Sequence, residues 1–311
     1  MRTYALPILA VWLALLSATT VYSGPCDGIK VIAHRGLSGR APEESELSYL
    51  LAADLKADYI EMDVQRTKDG VLILNHDEQF LRTTNVQSVY PSRAENSINS
   101  FEWSEVERLL TGAAFNKKKT HFANLKFINS HIETLEEVID LALSHPNHPG
   151  LYIESKNPNS YPGLEKEIVE LLDRKHAFGR LHVIFQSFDQ QSLLTFQKLT
   201  QDVPIIYLSK AKTYSRLIRT DLKFARAHHF GIGPKFKTVG KTRLDAFLKL
   251  AHAQNTFVHF YTIDAQESLG ELVQAKADGI FTNRADLLQR ECKRATSRES
   301  EATISARLDL L

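Results

Sequence analysis

Cysteine is almost missing from this 311-residue chain. Its two cysteines exclude a disulfide framework and a cysteine-rich zinc site. Glycine (14) and proline (10) are too sparse for a collagen-like or low-complexity chain. A dominant charge sign is missing too: Lys and Arg total 38 against 37 Asp and Glu, a formal net charge of +1. That balance excludes a disordered acidic or basic tail protein. It also argues against non-specific nucleic-acid binding, which needs a strong positive excess. What remains, with 43% apolar and 24% charged residues, is an ordinary globular composition in a chain long enough for one large domain or two small ones.

The first residues read as a leader rather than as fold. Met1 and Arg2 open a short positive region, an apolar stretch runs from Ala5 to Leu16, and small polar residues fill Ser17 to Ser23. This is the layout of a secretory signal peptide. Val21 and Ser23 occupy the −3 and −1 positions for cleavage before Gly24. The apolar stretch falls short of the roughly 20 residues that span a bilayer, and Pro25 before Cys26 removes the lipoprotein pattern. The expectation is export, to a periplasm or outside the cell, with residues 1–23 cleaved and no stable membrane span; an N-terminal anchor is the alternative. In an oxidising compartment Cys26, just before the first candidate strand, and Cys292, near the end of the folded region, can pair if the first and last units of the fold are neighbours. Two free thiols are the alternative.

Short β-branched runs alternate with longer amphipathic stretches. The strand-like runs are Lys30–Ala33, Tyr59–Val64, Val71–Leu74, Gly150–Ile153, His182–Phe185, Pro204–Leu208, His229–Ile232, Phe257–Tyr261 and Asp278–Phe281. Helix-period stretches include Leu135–Leu143, Leu164–Leu172, Leu193–Leu199 and Leu244–Ala253. This alternation predicts a parallel sheet covered by helices. The strand number favours a (β/α)8 barrel of the TIM type over an open sheet. One run is surplus: Val64–Thr67 and Val71–Leu74 are separated only by Lys68-Asp69-Gly70, too short to join parallel strands, so the pair is a hairpin at the barrel mouth. Residues 78–129 break the alternation and read as an insertion after the third strand, over one end of the barrel. The Lys117–Lys119 run within it reads as a solvated turn. Residues 24–290 make the barrel unit, and 291–311 form a polar tail that frays. No internal repeat is evident.

Parallel barrels bind ligands at the C-terminal ends of their strands, and these ends carry unusual chemistry. The first run ends in His34-Arg35-Gly36. The second holds Glu61 and Asp63, two apart and so on one face. After the hairpin come His76-Asp77, then Glu154 and Lys156, Gln186-Ser187, Pro234-Lys235 and Tyr261-Thr262. Folding the chain at Lys68–Gly70 places His76 opposite the neighbourhood of Asp63. Glu61, Asp63 and Glu154 facing one mouth would repel unless a cation sits among them, and oxygen ligands favour Ca²⁺ or Mg²⁺. His34 and His76 beside such a site suit acid–base work near neutral pH. Arg35 and Lys156 suit an anion. The combination matches phosphate-ester cleavage.

These pieces carry a family resemblance. His34-Arg35-Gly36, Pro42-Glu43, Glu61-Met62-Asp63, Thr67-Lys68-Asp69-Gly70, His76-Asp77 and Glu154-Ser155-Lys156 follow the order and spacing of the glycerophosphodiester phosphodiesterase family. Gln186-Ser187-Phe188 and Asp278-Gly279-Ile280 also resemble it, and Gly231-Ile232-Gly233-Pro234 is similar to its exported, periplasmic branch. The resemblance spans roughly Val31 to Leu288. It implies a TIM-type barrel and metal-assisted hydrolysis of a small-molecule glycerophosphodiester to an alcohol and glycerol 3-phosphate. It further implies His34 and His76 as the acid–base pair, Glu61, Asp63 and Glu154 as metal ligands, and Arg35 and Lys156 on the phosphate. One departure stands out: the family often has Asn or His and then Thr after Pro-Glu, where this chain has Glu44-Ser45.

Other readings of these residues stay open. Either His can cap a strand end, and Glu61 or Glu154 can simply pair with Arg35 or Lys156. Gln186, Lys235 and Tyr261 are pocket candidates, with solvation and packing as the alternatives for the last two. Asp77 orients His76 or the turn. His145, His148, His228 and His229 read as surface or loop residues, and His121 and His131 flank the insertion without a role. Two rival functions remain: a D-type phospholipase acting on lysophospholipid or sphingomyelin, with an apolar entrance around Phe101 and Trp103, and a non-catalytic exported binding protein. The ion, the head group and the oligomeric state are not written in the sequence.

Overall fold

The β-branched runs become nine strands in the computed structural model, which describes residues 26, 28–118 and 127–308. The expected leader, Lys119 and His121 lie outside the described residues. The strands are β1 (Lys30–Ala33), β2 (Tyr59–Arg66), β3 (Leu72–Leu74), β4 (Gly150–Ser155), β5 (Val183–Ser187), β6 (Ile205–Leu208), β7 (Gly231–Gly233), β8 (His259–Phe260) and β9 (Gly279–Thr282). Eight of them run parallel in the order β7-β6-β5-β4-β2-β1-β9-β8. Parallel bridges from Ile232 to Val258 and from Lys235 to Tyr261 bring β7 and β8 together, leaving a nearly closed barrel. β7 starts later than its apolar run because His229 takes a left-handed backbone (φ 59°).

The ninth strand is the surplus one. β3 pairs antiparallel with β2, Val64 opposite Leu74 and Arg66 opposite Leu72. The register extends upward as Asn75 N–H donates to the Asp63 carbonyl at 3.0 Å. His76 therefore stands beside Asp63 at the mouth.

Strand alternation divides the core into two layers. Ile60, Met62, Val64, Leu151 and Ile153 point outward into a large core shared with the helices. Ile32, Tyr152, Ile184, Ile206, Leu208 and Phe281 fill the barrel interior. The helices follow their apolar periods. In Leu135–Ser144 the buried Leu135, Val138, Ile139 and Ala142 make one face, and Thr134 and Glu137 cap its start reciprocally.

Two expectations change on folding. The insertion has a core of its own, in which Phe80, Val86, Ile98, Phe101, Val106 and Leu109 pack against Ile73 and Ile132. Phe101 is fully buried, with Phe80 edge-on at 5.5 Å and Arg93 4.2 Å above its ring. Trp103 packs on the same cluster. Neither forms an apolar entrance. The second change is at the C-terminus, where one helix, Ala285–Leu308, runs through the stretch expected to fray. Its first turns pack Ala285, Leu288 and Cys292 into the main core, and alanine, arginine and glutamate are good helix formers beyond them. On that helix Cys292 is disulfide-bonded to Cys26, with their Cα atoms 5.2 Å apart. The first and last strands of the chain are neighbours, as β1 pairs with β9.

Candidate active site

The inward positions of β2 and β4 change from apolar to acidic as the strands approach the mouth. Glu61 and Asp63 follow Tyr59, Glu154 follows Tyr152, and the register sets Asp63 beside Glu154. The three carboxylates are each at most 5% exposed. Each offers an oxygen within 4.8 Å of the others.

Their partners do not neutralise them fully. Glu61 Oε2 accepts from Arg35 N–H at 2.9 Å, and its Oε1 from Gln186 Nε2 at 2.8 Å. Lys156 Nζ lies 2.7 Å from Glu154 Oε1 and 3.1 Å from Asp63 Oδ1. Arg35 Nε lies 3.0 Å from Asp63 Oδ2. These contacts on Asp63 are at ion-pair distance but not in hydrogen-bond geometry, so both its oxygens, and Gln186 Oε1, are buried without a hydrogen bond. Burial pushes the Glu61 carboxyl up, and Asp63 and Glu154 push it further. Glu154 is pushed up to about 7, first by burial, against the pull of Lys156. Burial acts the same way on Asp63, but Lys156 and then Arg35 overcome it and hold that acid below its usual range. Crowded acids with oxygens to spare make an all-oxygen set that fits a hard divalent cation.

The two histidines lie near enough to Asp63 that both act on its charge. They differ in what holds them. His34 Nδ1 lies 2.7 Å from Asn283 Oδ1. Asn283 is itself oriented, because its Nδ2 donates to Asp264 Oδ2 at 2.6 Å and its backbone N–H to Asp264 Oδ1 at 2.9 Å. The amide oxygen therefore faces His34, the proton sits on Nδ1, and Nε2 keeps its lone pair. Burial, with Arg35 next, lowers the His34 ring to about 3 and keeps it neutral. His76 Nδ1 meets a carboxylate instead, Asp77 Oδ1 at 2.6 Å.

Asp77 belongs to a chain of charges across the mouth. Arg82 bonds Asp77 through Nε and grips Glu43 with Nη1 and Nη2, each at 2.7 Å. Glu43 Oε1 also takes Arg35 Nη1 at 2.9 Å. Arg82 draws Glu43 down to about 2 against the opposing effect of burial. Arg35 itself is left-handed (φ 55°), and Gly36 follows it at φ 74°. This turn carries the backbone away from β1 and aims Arg35 N–H at Glu61.

A cavity of about 800 Å³ opens outside this cluster, lined by His76, Asp77, Glu154, Lys156, Phe188 and Lys210 among others. Of the pocket candidates, Gln186 is buried beneath Glu61, and Tyr261 donates to the Ser209 carbonyl at 2.6 Å. Lys235 is exposed and only bridges Tyr261 through the backbone. None of the three lines that cavity.

Glu43, Arg82 and Asn283 had no assigned role in the sequence reading. Asn283 was within reach of it. It directly follows the last strand, so the same strand-end rule that marks His34 marks it too. Arg82 lies in a loop with no spacing rule to mark it.

Comparison with known proteins fits this geometry. Residues 34–287 match the family model described as the glycerophosphoryl diester phosphodiesterase family. A Bacillus subtilis protein named glycerophosphodiester phosphodiesterase is 32% identical over 268 residues, covering 85% of this chain and 86% of that one. A structure from Silicibacter pomeroyi superposes with a TM-score of 0.74 at 22% identity, covering 86% of this chain and 94% of that one. A phosphodiesterase from Oleispira antarctica, solved with the product sn-glycerol-3-phosphate, superposes with a TM-score of 0.69 at 22% identity, covering 85% and 96% of the two chains.

Proposed function

The chain belongs to the glycerophosphoryl diester phosphodiesterase family, and on that premise we propose that it hydrolyses glycerophosphodiesters to an alcohol and sn-glycerol 3-phosphate by two-histidine acid–base catalysis. It is a phosphoric diester hydrolase. The observation that carries this reading is the pair of histidines near Asp63, one tied to an amide oxygen and the other to a carboxylate.

In this reading Glu61, Asp63 and Glu154 hold one Ca²⁺ or Mg²⁺ ion. A cation bound there supplies charge neutralisation for the phosphate oxygens. Arg35 and Lys156 orient the same phosphate, each already drawn to Asp63. His34 Nε2, the free lone pair, takes the proton of the attacking oxygen as the new P–O bond forms. The bond to the leaving alkoxide breaks, and His76 Nε2 delivers its proton there. Asp77 accepts from the far side of the His76 ring and holds it in line.

The same reading places the protein outside the cytoplasm, periplasmic or secreted, with residues 1–23 cleaved. The Cys26–Cys292 bond supports it, since such bonds persist in oxidising compartments. The enzymatic unit is then 24–290, with the insertion over about 78–129 and the polar stretch 291–311 after it. Among the described residues no helix is long and apolar enough to cross a membrane.

The test is glycerol 3-phosphate release from glycerophosphocholine, with and without chelator, beside a His34→Ala variant. Chelation should abolish release and restored Ca²⁺ or Mg²⁺ should recover it. His34→Ala should lower kcat by about a hundredfold or more. Release untouched by both treatments would remove the mechanism.

A further inference from the structure

Arg82 joins two loops of the site and is itself held from behind. Its backbone lies at the start of the insertion, next to fully buried Phe80. The Thr84 hydroxyl donates to the Phe80 carbonyl at 2.8 Å, and the Thr83 hydroxyl to Asn75 Oδ1 at 3.1 Å. Lys118 Nζ donates to the Arg82 carbonyl at 2.8 Å. From this tied-down stretch the guanidinium reaches both Glu43, in the loop after β1, and Asp77, just after β3. Nη1 and Nη2 make a parallel pair with the two Glu43 oxygens, each at 2.7 Å. Nε bonds Asp77 Oδ2, and Nη2 lies 3.2 Å from Asp77 Oδ1. One planar fork thus spans two carboxylates from separate loops. A lysine, with a point charge on a flexible stem, has no such geometry.

The support of Asp77 shows what this grip is for. Its backbone does not depend on Arg82, because Gln65 Nε2 and Asn75 Nδ2, both buried, donate to the Asp77 carbonyl at 2.6 and 2.7 Å. Its side chain does. Among the described residues, that carboxylate bonds only His76 Nδ1 and Arg82. The Asp77 side chain is 32% exposed, so without the fork water can take its oxygens and the His76 ring loses a fixed partner. His76 lines the cavity outside the acid cluster, where a head group has room. The direction of that ring decides whether its proton reaches the departing oxygen.

We propose that Arg82 is a positioning residue for leaving-group protonation: by gripping Glu43 and Asp77 together it locks the Asp77 carboxylate on His76 Nδ1 and holds His76 Nε2 toward the bond that breaks. The proposal rests on the phosphodiesterase reading above, with His76 as its acid. It gives the insertion a part in the chemistry through one side chain, which among the described residues pairs with Glu43 and Asp77 and with none of Glu61, Asp63 and Glu154.

The experiment compares two diesters of glycerol 3-phosphate at saturating Ca²⁺ or Mg²⁺. In glycerophosphocholine the departing alkoxide needs a proton; in the p-nitrophenyl diester the phenolate leaves without one. kcat, KM and the melting point are measured for the unmodified protein, Arg82→Lys and Arg82→Ala. Both variants should lose about 10- to 100-fold in kcat on glycerophosphocholine and less than about threefold on the p-nitrophenyl diester, with KM nearly unchanged. Adding Arg82→Lys to Asp77→Asn should cost little beyond Asp77→Asn alone, because both changes act on one ring. Equal losses on the two diesters would overturn the proposal, since a phosphate contact or general damage to the fold acts on both alike. So would full activity in Arg82→Lys, which keeps the charge and loses the fork. Additive losses in the double variant would show that Arg82 does not act through Asp77. An unmodified chain that releases glycerol 3-phosphate from neither diester would remove the activity reading and this proposal with it.

Discussion

Asn283 reaches the site from the end of β9 and acts there through one atom. Its Oδ1 fixes which nitrogen of His34 carries the proton, and Asp264 fixes Asn283. Asn283→Ala should therefore leave His34 in place but free to change tautomer. Glycerol 3-phosphate release should fall about 10- to 100-fold in kcat, with Ca²⁺ affinity unchanged by calorimetry. A normal kcat would show that the tautomer is held some other way. Glu133, away from the charged cluster, gives a prediction about stability instead. Its carboxyl is pushed up to about 7 from 4.5, chiefly by burial, although the Glu46 N–H at 3.1 Å works against the rise. Between those two values the folded chain binds more protons than the unfolded one, so stability falls as pH rises through that window. Glu133→Gln keeps the acceptor and escapes this loss. Urea unfolding should show it more stable by about 1–3 kcal/mol at pH 8, with the gain shrinking severalfold at pH 5. A gain independent of pH would rule out ionisation of Glu133 as the cause.

Two turns with similar backbones separate conformational strain from crowding at the scale of the element. Gly70 in the β2–β3 hairpin has φ 92°, and a Cβ there would meet nothing within 4 Å. Gly36 after β1 has φ 74°, but its Cβ would lie 2.6 Å from the Ser48 carbonyl carbon. Gly70→Ala should therefore cost only the left-handed penalty, about 1 kcal/mol, visible as a small fall in Tm with kcat retained. Gly36→Ala must displace helix Glu46–Asp54 or the His34-Arg35 turn, and kcat should fall at least tenfold in any protein that folds. Equal effects at the two positions would contradict the distinction. The hairpin was legible because Asp-Gly punctuates two β-branched runs, and its register alone carried His76 to Asp63. The acids were legible because a period of two sends Glu61 and Asp63 to one side of β2. The insertion was not. Its apolar residues, from Phe80 to Leu109, follow neither a helix nor a strand period, because they come from short turns packed on one another. Arg82 was hidden for a related reason: a loop has no periodicity to say where its side chains point, and only the fold brings it between Asp77 and Glu43.

For the whole molecule, the two ends of the chain meet because the barrel nearly closes on itself. β1 lies between β2 and β9, so a residue just before β1 and one on the helix after β9 become neighbours although 266 positions separate them. The disulfide between them restricts the unfolded chain far more than the folded one, and the long loop makes that restriction large. It also holds helix Ala285–Leu308 against the start of the barrel, where Arg40 pairs with Asp286 at the first turn of that helix. The acids of the site come from β2 and β4, while His34, Arg35 and Asn283 directly follow the two strands that the bond flanks. Reducing the bond, or replacing both cysteines by serine, should thus lower stability by roughly 2–5 kcal/mol while leaving Ca²⁺ affinity and kcat near their oxidised values at temperatures where the chain stays folded. The measurement is a pair of melting curves with and without dithiothreitol, next to kinetics at 25 °C. An unchanged Tm would mean that the bond does not constrain the unfolded chain. A large loss of kcat in protein that is still folded would mean that it holds the β1–β9 edge, and with it His34 and Asn283, in working register.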